Sequence, residues 1–242
     1  MAAALPDPQI FPLGDRALVV EFGTIVDASI NARARAYAEH LLAIRVPCVT
    51  DVVPGYACVT VHFDPMAACE AFRTTEPLEA LRAALGAALQ KAPLASKRKT
   101  RTIEIPVCYG GDHGADLEDV ARQCNLPAEE VVRLHTAPLY QVYTLGFVPG
   151  FGYLGGLDSR LRCPRRQTPR KRVPAGSVGI GGEQTGVYPL ETPGGWNLIG
   201  RTPRKLVQLS EEGAQMVLQA GDEVRFVPIS GAEYDRLKAS QR

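Results

Sequence analysis

The most unusual part of this sequence opens with GFVPGFGYLGG, residues 146–156. The 58 residues from Gly146 to Pro203 hold 13 of the chain's 23 glycines and seven of its 19 prolines. These two residue types mark tight turns and close approaches of the backbone. Short apolar segments lie between the turns, and such a pattern is typical of a β-barrel. We therefore predict a mainly-β barrel in the second half of the chain.

The first ninety residues predict a different kind of domain. Strand-forming and helix-forming segments follow one another in the order βαββα, which indicates a small α+β domain with helices on one antiparallel sheet. The predicted strands are residues 15–22, 46–54 and 56–63, and the predicted helices are residues 27–45 and 76–91. Asp27 is the expected N-cap of the first helix.

Residues 92–102 are polar and basic, with Lys97, Arg98, Lys99 and Arg101, and predict a linker. We place the boundary there, giving domains of residues 1–95 and 96–242. The second domain is predicted to have helices at 116–123 and 127–136, with Asn125 capping the second. Its predicted strands are residues 102–107, 139–147, 176–180, 186–190, 196–199, 206–209 and 223–227, and a helix at 231–239 is expected to pack outside the barrel.

Bulk composition excludes several classes of function for this chain of 242 residues. A net charge of +1 gives no field that would hold duplex DNA, so nucleic acid is not expected as a partner. No apolar run approaches the length of a membrane span, and the N-terminus lacks the pattern of an export signal. The six cysteines are at least ten residues apart, which predicts reduced thiols and no metal pair. We expect a cytoplasmic protein.

Two segments match or resemble known sequence motifs but lack the structural context that those motifs require. Gly150, Gly152 and Gly155 fit the dinucleotide pattern G-x-G-x-x-G, but the prolines that follow exclude the helix that such a site requires. Ser177 resembles a nucleophile elbow, but all four histidines precede it, so a turn is the better interpretation.

The glycine- and proline-rich stretch also contains a cationic run. Residues 160–172 hold seven lysines and arginines and no acid. Such a run favours either a bound anion, carboxylates supplied from elsewhere in the fold, or simple solvation. Phe151 and Tyr153 lie among glycines and are candidates for a pocket wall. The amides of Gln184 and Asn197, with Thr185, either order a loop or hold a ligand.

Together these residues predict a pocket for a small anionic substrate. An obvious catalytic group is missing, since the sequence shows no paired carboxylates, no Cys/His spacing and no triad. This absence favours a site that another chain completes.

The stretch also resembles a known family. Residues 146–158 and their continuations at 168–179, 184–189 and 193–203 are similar to the allophanate hydrolase subunit 1 family, and Gly14–Leu18 resembles that family's opening strand. The family includes one of the subunits of 5-oxoprolinase and the sporulation-kinase inhibitor KipI. The resemblance implies an α+β N-terminal domain followed by a mainly-β, cyclophilin-like barrel domain.

The resemblance further implies a hetero-oligomeric, ATP-hydrolysing 5-oxoprolinase that converts 5-oxo-L-proline to L-glutamate, in which this chain is inactive without subunits C and A. ATP is the expected co-substrate, with Mg²⁺, and no metal site is expected in the chain itself. The alternatives are an inhibitor of a sensor histidine kinase and a subunit of an allophanate or urea-metabolising hydrolase. The catalytic residues stay unknown. The expected substrate- or nucleotide-binding residues are Phe151, Tyr153, Arg166, Arg170, Arg172, Gln184, Asn197 and Arg201.

Overall fold

A computed structural model of the chain describes residues 7–95, 99–211 and 213–240. The chain divides into two compact units, Met1–Lys99 and Thr100–Arg242. The predicted domain boundary borders residues 96–98, and Lys97 and Arg98 of the predicted linker lie outside the described residues. The boundary at 95/96 therefore stays a prediction.

The first unit is a four-stranded antiparallel sheet covered by helices. Its elements are β1 (Gln9–Pro12), β2 (Ala17–Glu21), α1 (Ala28–Ile44), β3 (Val49–Pro54), β4 (Cys58–Phe63), α2 (Pro65–Phe72) and α3 (Pro77–Lys91). The strands lie in the order β1-β2-β4-β3. Asp27 caps α1 as predicted, because its carboxylate accepts hydrogen bonds from the backbone N–H groups of Ser29 and Ile30.

The predicted order βαββα lacks two elements of this unit. β1 is a short, largely exposed edge strand that ends at a proline, so it has no alternating apolar pattern. α2 buries only Ala68 among its described residues and therefore has no apolar stripe. Both elements are recognised only once the tertiary structure is known.

The second unit begins with β5 (Thr102–Tyr109), α4 (Leu117–Cys124), α5 (Ala128–Thr136), β6 (Tyr140–Leu145) and β7 (Gly152–Gly155). It continues with β8 (Arg170–Val173), β9 (Ser177–Gly181), β10 (Gln184–Val187), β11 (Thr192–Gly194) and β12 (Asn197–Arg201). The last elements are β13 (Val207–Ser210), β14 (Gly213–Met216), β15 (Glu223–Pro228) and α6 (Gly231–Ala239).

Seven of these strands close into a barrel, which confirms the prediction of a mixed α/β fold with a barrel. The order around the barrel is β10-β7-β6-β15-β5-β12-β9, with β15 and β5 parallel and the other pairs antiparallel. Ile105, Val142 and Phe226 belong to one core that also includes Val120 and Leu134 from the two helices. α6 packs against β5, as expected for a helix outside the barrel.

Two predictions for this unit need correction, and the prediction that the dinucleotide-like glycines begin no regular helix is confirmed. Residues 206–209 do not join the barrel, because β13 pairs with β14 in a separate two-stranded sheet. Asn125 does not cap α5; it ends α4 in the left-handed conformation, which asparagine tolerates well, and Pro127 is the N-cap of α5. The dinucleotide-like glycines lie in and before β7 and begin no helix.

Within the described ranges, no helix combines the length and the apolar character that crossing a membrane requires.

Candidate functional site

An aromatic cavity of about 260 Å³ lies beside the barrel core. Its aromatic lining residues are Phe147, Phe151, Tyr153, Tyr188 and Trp196, the only tryptophan of the chain. They pack mostly edge to face, with ring centroids of Phe151 and Trp196 5.5 Å apart and those of Phe151 and Tyr153 4.9 Å apart. Such contacts hold the rings in place, so the cavity is preformed.

Glycines bring these rings together. A Cβ atom on Gly194 would lie 2.6 Å from the hydroxyl oxygen of Tyr188, and one on Gly181 would lie 2.5 Å from the Trp196 ring. Only glycine therefore fits beneath these two side chains. The glycine-rich sequence has here a direct packing function.

Phe147 stands at the rim of the cavity in a strained conformation. It has a φ of +68°, and the residue is 58% exposed. A left-handed conformation costs a non-glycine residue roughly 1 kcal/mol or more, and such strain concentrates at functional sites. Its ring centroid lies 5.6 Å from that of Phe151, so the strained residue places an exposed aromatic ring against the cavity wall.

Arg165 supplies the positive charge of the aromatic cavity. Its guanidinium carbon lies 6.0 Å from the centroid of the Trp196 ring, within cation–π range. Among the described residues, no carboxylate lies within ion-pair distance of this exposed side chain. Arg165 is thus available to a carboxylate of a bound molecule. No acidic residue and no histidine lines the aromatic cavity within the described part of the chain.

Asp116 binds two arginines of the cationic run, Arg166 and Arg170. Arg170 donates to both of its carboxylate oxygens, at 2.8 and 2.7 Å, and Arg166 donates to Oδ1 at 2.9 Å. The backbone N–H of Leu198 donates to Oδ2 at 2.7 Å. The Asp116 side chain is only 3% exposed, so the two half-buried guanidinium groups neutralise a buried charge. This cluster fixes residues 166–170 against the start of α4.

Other cations of the run also find carboxylates. Arg160 pairs with Asp158, Arg162 with Glu183 and Arg172 with Glu191, all at the surface. Hydrogen bonds from the side chain and backbone of Arg160 lower the pKa of Asp158 to about 2. Of the three interpretations of the cationic run, carboxylates supplied by the fold therefore account for most of its members.

Asn197 and Thr185 order the structure. The Asn197 amide donates to the backbone carbonyls of Pro164 and Ile180, at 2.9 and 3.3 Å, and is buried. It anchors the segment that carries Arg165. Gln184 is half-buried in β10 and is not among the residues that line the aromatic cavity.

Thr185 belongs to a buried chain of hydrogen bonds inside the barrel. Its hydroxyl donates to the carbonyl of Gly179, so it accepts from Nε2 of His135 at 2.8 Å. Nδ1 of His135 then accepts from the Tyr109 hydroxyl, also at 2.8 Å. Burial lowers the pKa of His135 to about 3, and the ring is neutral at physiological pH. The network is satisfied internally and belongs to the barrel core.

Arg201 lies in a different place, which we call the basic cavity. This cavity of about 240 Å³ is lined by the end of β12, the turn at Ala175–Gly176, the segment Thr202–Lys205, and Pro189, Tyr234 and Lys238. Four of its lining residues are cationic: Arg201, Arg204, Lys205 and Lys238. The described residues hold no group of three or more side chains suited to a metal ion.

The expected site residues thus fall into separate places. Phe151 and Tyr153 line the aromatic cavity, and Arg166 and Arg170 bind Asp116. Arg172 is an exposed ion-pair partner, and Arg201 lines the basic cavity. Sequence reasoning missed Asp116 and did not single out Arg165, because only the tertiary structure distinguishes them from their neighbours.

A family model decides the classification of the chain. The model "Carboxyltransferase domain, subdomain C and D" matches residues 8–217. The chain belongs to this family. Named proteins are also similar to this chain along nearly its full length.

Two such relatives bear the same name, the B subunit of 5-oxoprolinase. The chain is 40% identical to the protein of that name from Bacillus subtilis, over 95% of this chain and 96% of that protein. It is 43% identical to the protein of that name from Escherichia coli O157:H7, over 89% of this chain and 94% of that protein.

A solved structure has the same fold. The crystal structure of TTHA0988 matches 89% of this chain at 39% identity, with a TM-score of 0.75. The match covers 40% of the TTHA0988 chain, so this chain spans well under half of that protein's length.

Proposed function

We propose that the chain is a subunit of an ATP-dependent 5-oxoprolinase that converts 5-oxo-L-proline to L-glutamate. The observation that carries the proposal is the near full-length similarity to two proteins named as the B subunit of 5-oxoprolinase. Fold likeness alone does not define a reaction, and the proposal therefore also has to fit the site.

The aromatic cavity fits the proposed substrate in size and charge. 5-Oxo-L-proline is a small flat ring with one carboxylate, and the cavity offers aromatic walls with Arg165 at one side. A guanidinium group binds a carboxylate through paired hydrogen bonds. We propose that Phe151, Tyr153 and Trp196 hold the ring while Arg165 binds the carboxylate.

The proposed chemistry needs more than this cavity contains. A lactam resists water, and transfer of a phosphoryl group from ATP to its oxygen activates the carbon for attack by water. The ring C–N bond then opens as the ring nitrogen takes up a proton, ADP is released, and a second water hydrolyses the resulting acyl phosphate to glutamate and phosphate. Positive charge stabilises the transferred group, but a general acid or base must also act. Since no described acid or histidine lines the aromatic cavity, we propose that a partner chain supplies it.

The partners that we propose are 5-oxoprolinase subunits C and A, in a cytoplasmic hetero-oligomer. The greater length of TTHA0988, a structural relative, supports a further polypeptide beside the matched region. ATP is the proposed co-substrate, with Mg²⁺ accompanying the nucleotide. We also propose that the barrel is of the cyclophilin-like type.

The experiment is a comparison of the purified chain with and without subunits C and A, with glutamate measured after addition of 5-oxo-L-proline and ATP. We expect glutamate only from the complete set. Full turnover by the chain alone would contradict the proposal that a partner chain completes the site. No turnover by the complete set of subunits would contradict the proposed reaction. The kinase-inhibitor and allophanate hydrolase alternatives stay predictions that no contact described above favours.

A further inference from the structure

The basic cavity is a built site in which three cations lack carboxylate partners. Within the described ranges, no carboxylate lies within ion-pair distance of Arg201, Arg204 or Lys238. No acidic residue is among the described residues that line the cavity. Clustered like charges repel each other, so this arrangement is stabilised when an anion enters.

The two arginines are held in position by backbone carbonyls. Nε of Arg201 donates to the carbonyl of Ala175 at 2.9 Å, and Nη1 of Arg204 donates to the carbonyl of Glu104 at 2.5 Å. Each guanidinium group has five N–H donors, so both keep several donors for a ligand. A side chain that is already ordered loses less conformational entropy on binding.

The floor of the basic cavity requires glycine. Gly176 has a φ of +84°, and a Cβ atom there would lie 2.3 Å from the carbonyl oxygen of Thr202. The backbone N–H of Thr202 donates to the Gly176 carbonyl at 2.8 Å. This hydrogen bond therefore connects the turn at Ala175–Gly176 to the basic segment Arg201–Lys205. On the other side, Nζ of Lys238 lies 5.7 Å from the ring centroid of the buried Tyr234.

We propose that the basic cavity binds a phosphoryl group, either as inorganic phosphate or as the terminal phosphate of a nucleotide. Guanidinium and ammonium groups are the side chains that bind phosphate most strongly in proteins. The volume of about 240 Å³ is below the roughly 300 Å³ at which pockets for drug-sized ligands begin. The cavity therefore suits a phosphate rather than a whole nucleotide. This inference goes beyond the proposed reaction, because it needs neither 5-oxoproline nor a partner chain.

The test is calorimetric titration of the full chain with sodium phosphate at low ionic strength. Lys238→Gln is the informative variant, because Lys238 is an exposed residue of α6 and we expect its replacement to leave the fold intact. We expect phosphate to bind about tenfold more weakly to Lys238→Gln and to Arg201→Gln. The matched control is Arg236→Gln, which removes one positive charge from the same helix but from a side chain paired with Glu233. The control should bind phosphate as the unaltered chain does.

Titrations with ATP and with adenosine distinguish the two sources of the phosphoryl group. If the chain binds ATP but not adenosine, and Lys238→Gln weakens the binding of ATP, the ligand is the phosphate of a nucleotide. If the chain binds inorganic phosphate but not ATP, the ligand is the free anion. The proposal is overturned if the chain binds neither phosphate nor ATP at millimolar concentration, or if Lys238→Gln and Arg201→Gln bind the ligand as well as Arg236→Gln. Since no turnover is measured, this result is independent of the glutamate assay.

Discussion

The Asp116 cluster and the basic cavity use arginine in opposite ways. In the Asp116 cluster, Arg166 and Arg170 bind the buried Asp116, and their charges support the structure. In the basic cavity, the side chains of Arg201 and Arg204 donate to backbone carbonyls, and neither has a carboxylate partner among the described residues. Both regions belong to the barrel unit, and both draw residues from the glycine- and proline-rich stretch.

The difference shows how charged residues should be interpreted. Seven cations in residues 160–172 look like an anion site in the sequence, but five of them find carboxylates in the fold. The less conspicuous Arg201 and Arg204 have no carboxylate partner among the described residues. Pairing in the fold, and not the density of charge in the sequence, distinguishes a structural arginine from a binding one.

The largest expected effect comes from Asp116→Asn, which removes the carboxylate that the structural arginines bind. The substitution keeps the shape of the side chain but leaves Arg166 and Arg170 without their buried counter-charge. We expect a loss of roughly 3 kcal/mol in the free energy of unfolding, measured with urea. Asp119→Asn is the control, because Asp119 is exposed on the same helix and pairs with Arg122. Equal, small losses in both variants would show that the Asp116 cluster is not structural.

The next largest effect is expected in the pH dependence of the barrel's stability. It tests His135, which lies in the barrel core and lines neither cavity. Because burial lowers the pKa of His135 from 6.5 to about 3, the unfolded chain takes up a proton in that interval and the folded chain does not. Stability must therefore fall as pH drops below 6.5, by up to about 1.4 kcal/mol per pH unit from this group. Urea unfolding between pH 7 and pH 5 should show a shallower slope in His135→Gln than in the exposed control His62→Gln. Identical slopes would contradict a buried, neutral His135.

Arg165→Gln tests whether the free arginine of the aromatic cavity binds substrate. In the complete enzyme we expect KM for 5-oxo-L-proline to rise about tenfold, because a charged hydrogen bond to the substrate carboxylate is lost. Stability should change by less than about 0.5 kcal/mol, since the side chain is exposed. Lys171→Gln removes a charge from the same run as the control. A rise in KM that both variants share would indicate a general electrostatic effect.

A small effect on stability is also expected from Phe147→Gly. Glycine relieves the strain of the positive φ, and this gain offsets the loss of an exposed ring. We expect a change of less than about 1 kcal/mol in the free energy of unfolding, together with weaker binding of 5-oxo-L-proline. A loss of several kcal/mol would instead make Phe147 part of the core.

The sequence predicts the barrel because turns are local. Glycine and proline mark the ends of strands, and most of the predicted strands overlap with observed ones. The missed strands β7, β8, β11 and β14 have only three or four residues, too few for an alternating pattern.

The candidate site depends on contacts that no local pattern contains. Asp116 and Arg166 are 50 residues apart, and Asp116 looks like an ordinary helix start in the sequence. Arg165 and Arg166 are adjacent and identical in type, but one faces the Trp196 ring and the other binds Asp116. The sequence therefore predicts an arginine-rich pocket with aromatic walls, and only the fold separates its parts.

The fluorescence of Trp196 tests the central claim most directly, because this only tryptophan of the chain lines the aromatic cavity. Titration of the purified chain with 5-oxo-L-proline should give a saturable change in emission, which Arg165→Gln shifts to higher ligand concentration. Lys171→Gln should leave the titration unchanged. An emission spectrum that does not respond to 5-oxo-L-proline would contradict a substrate site in this cavity.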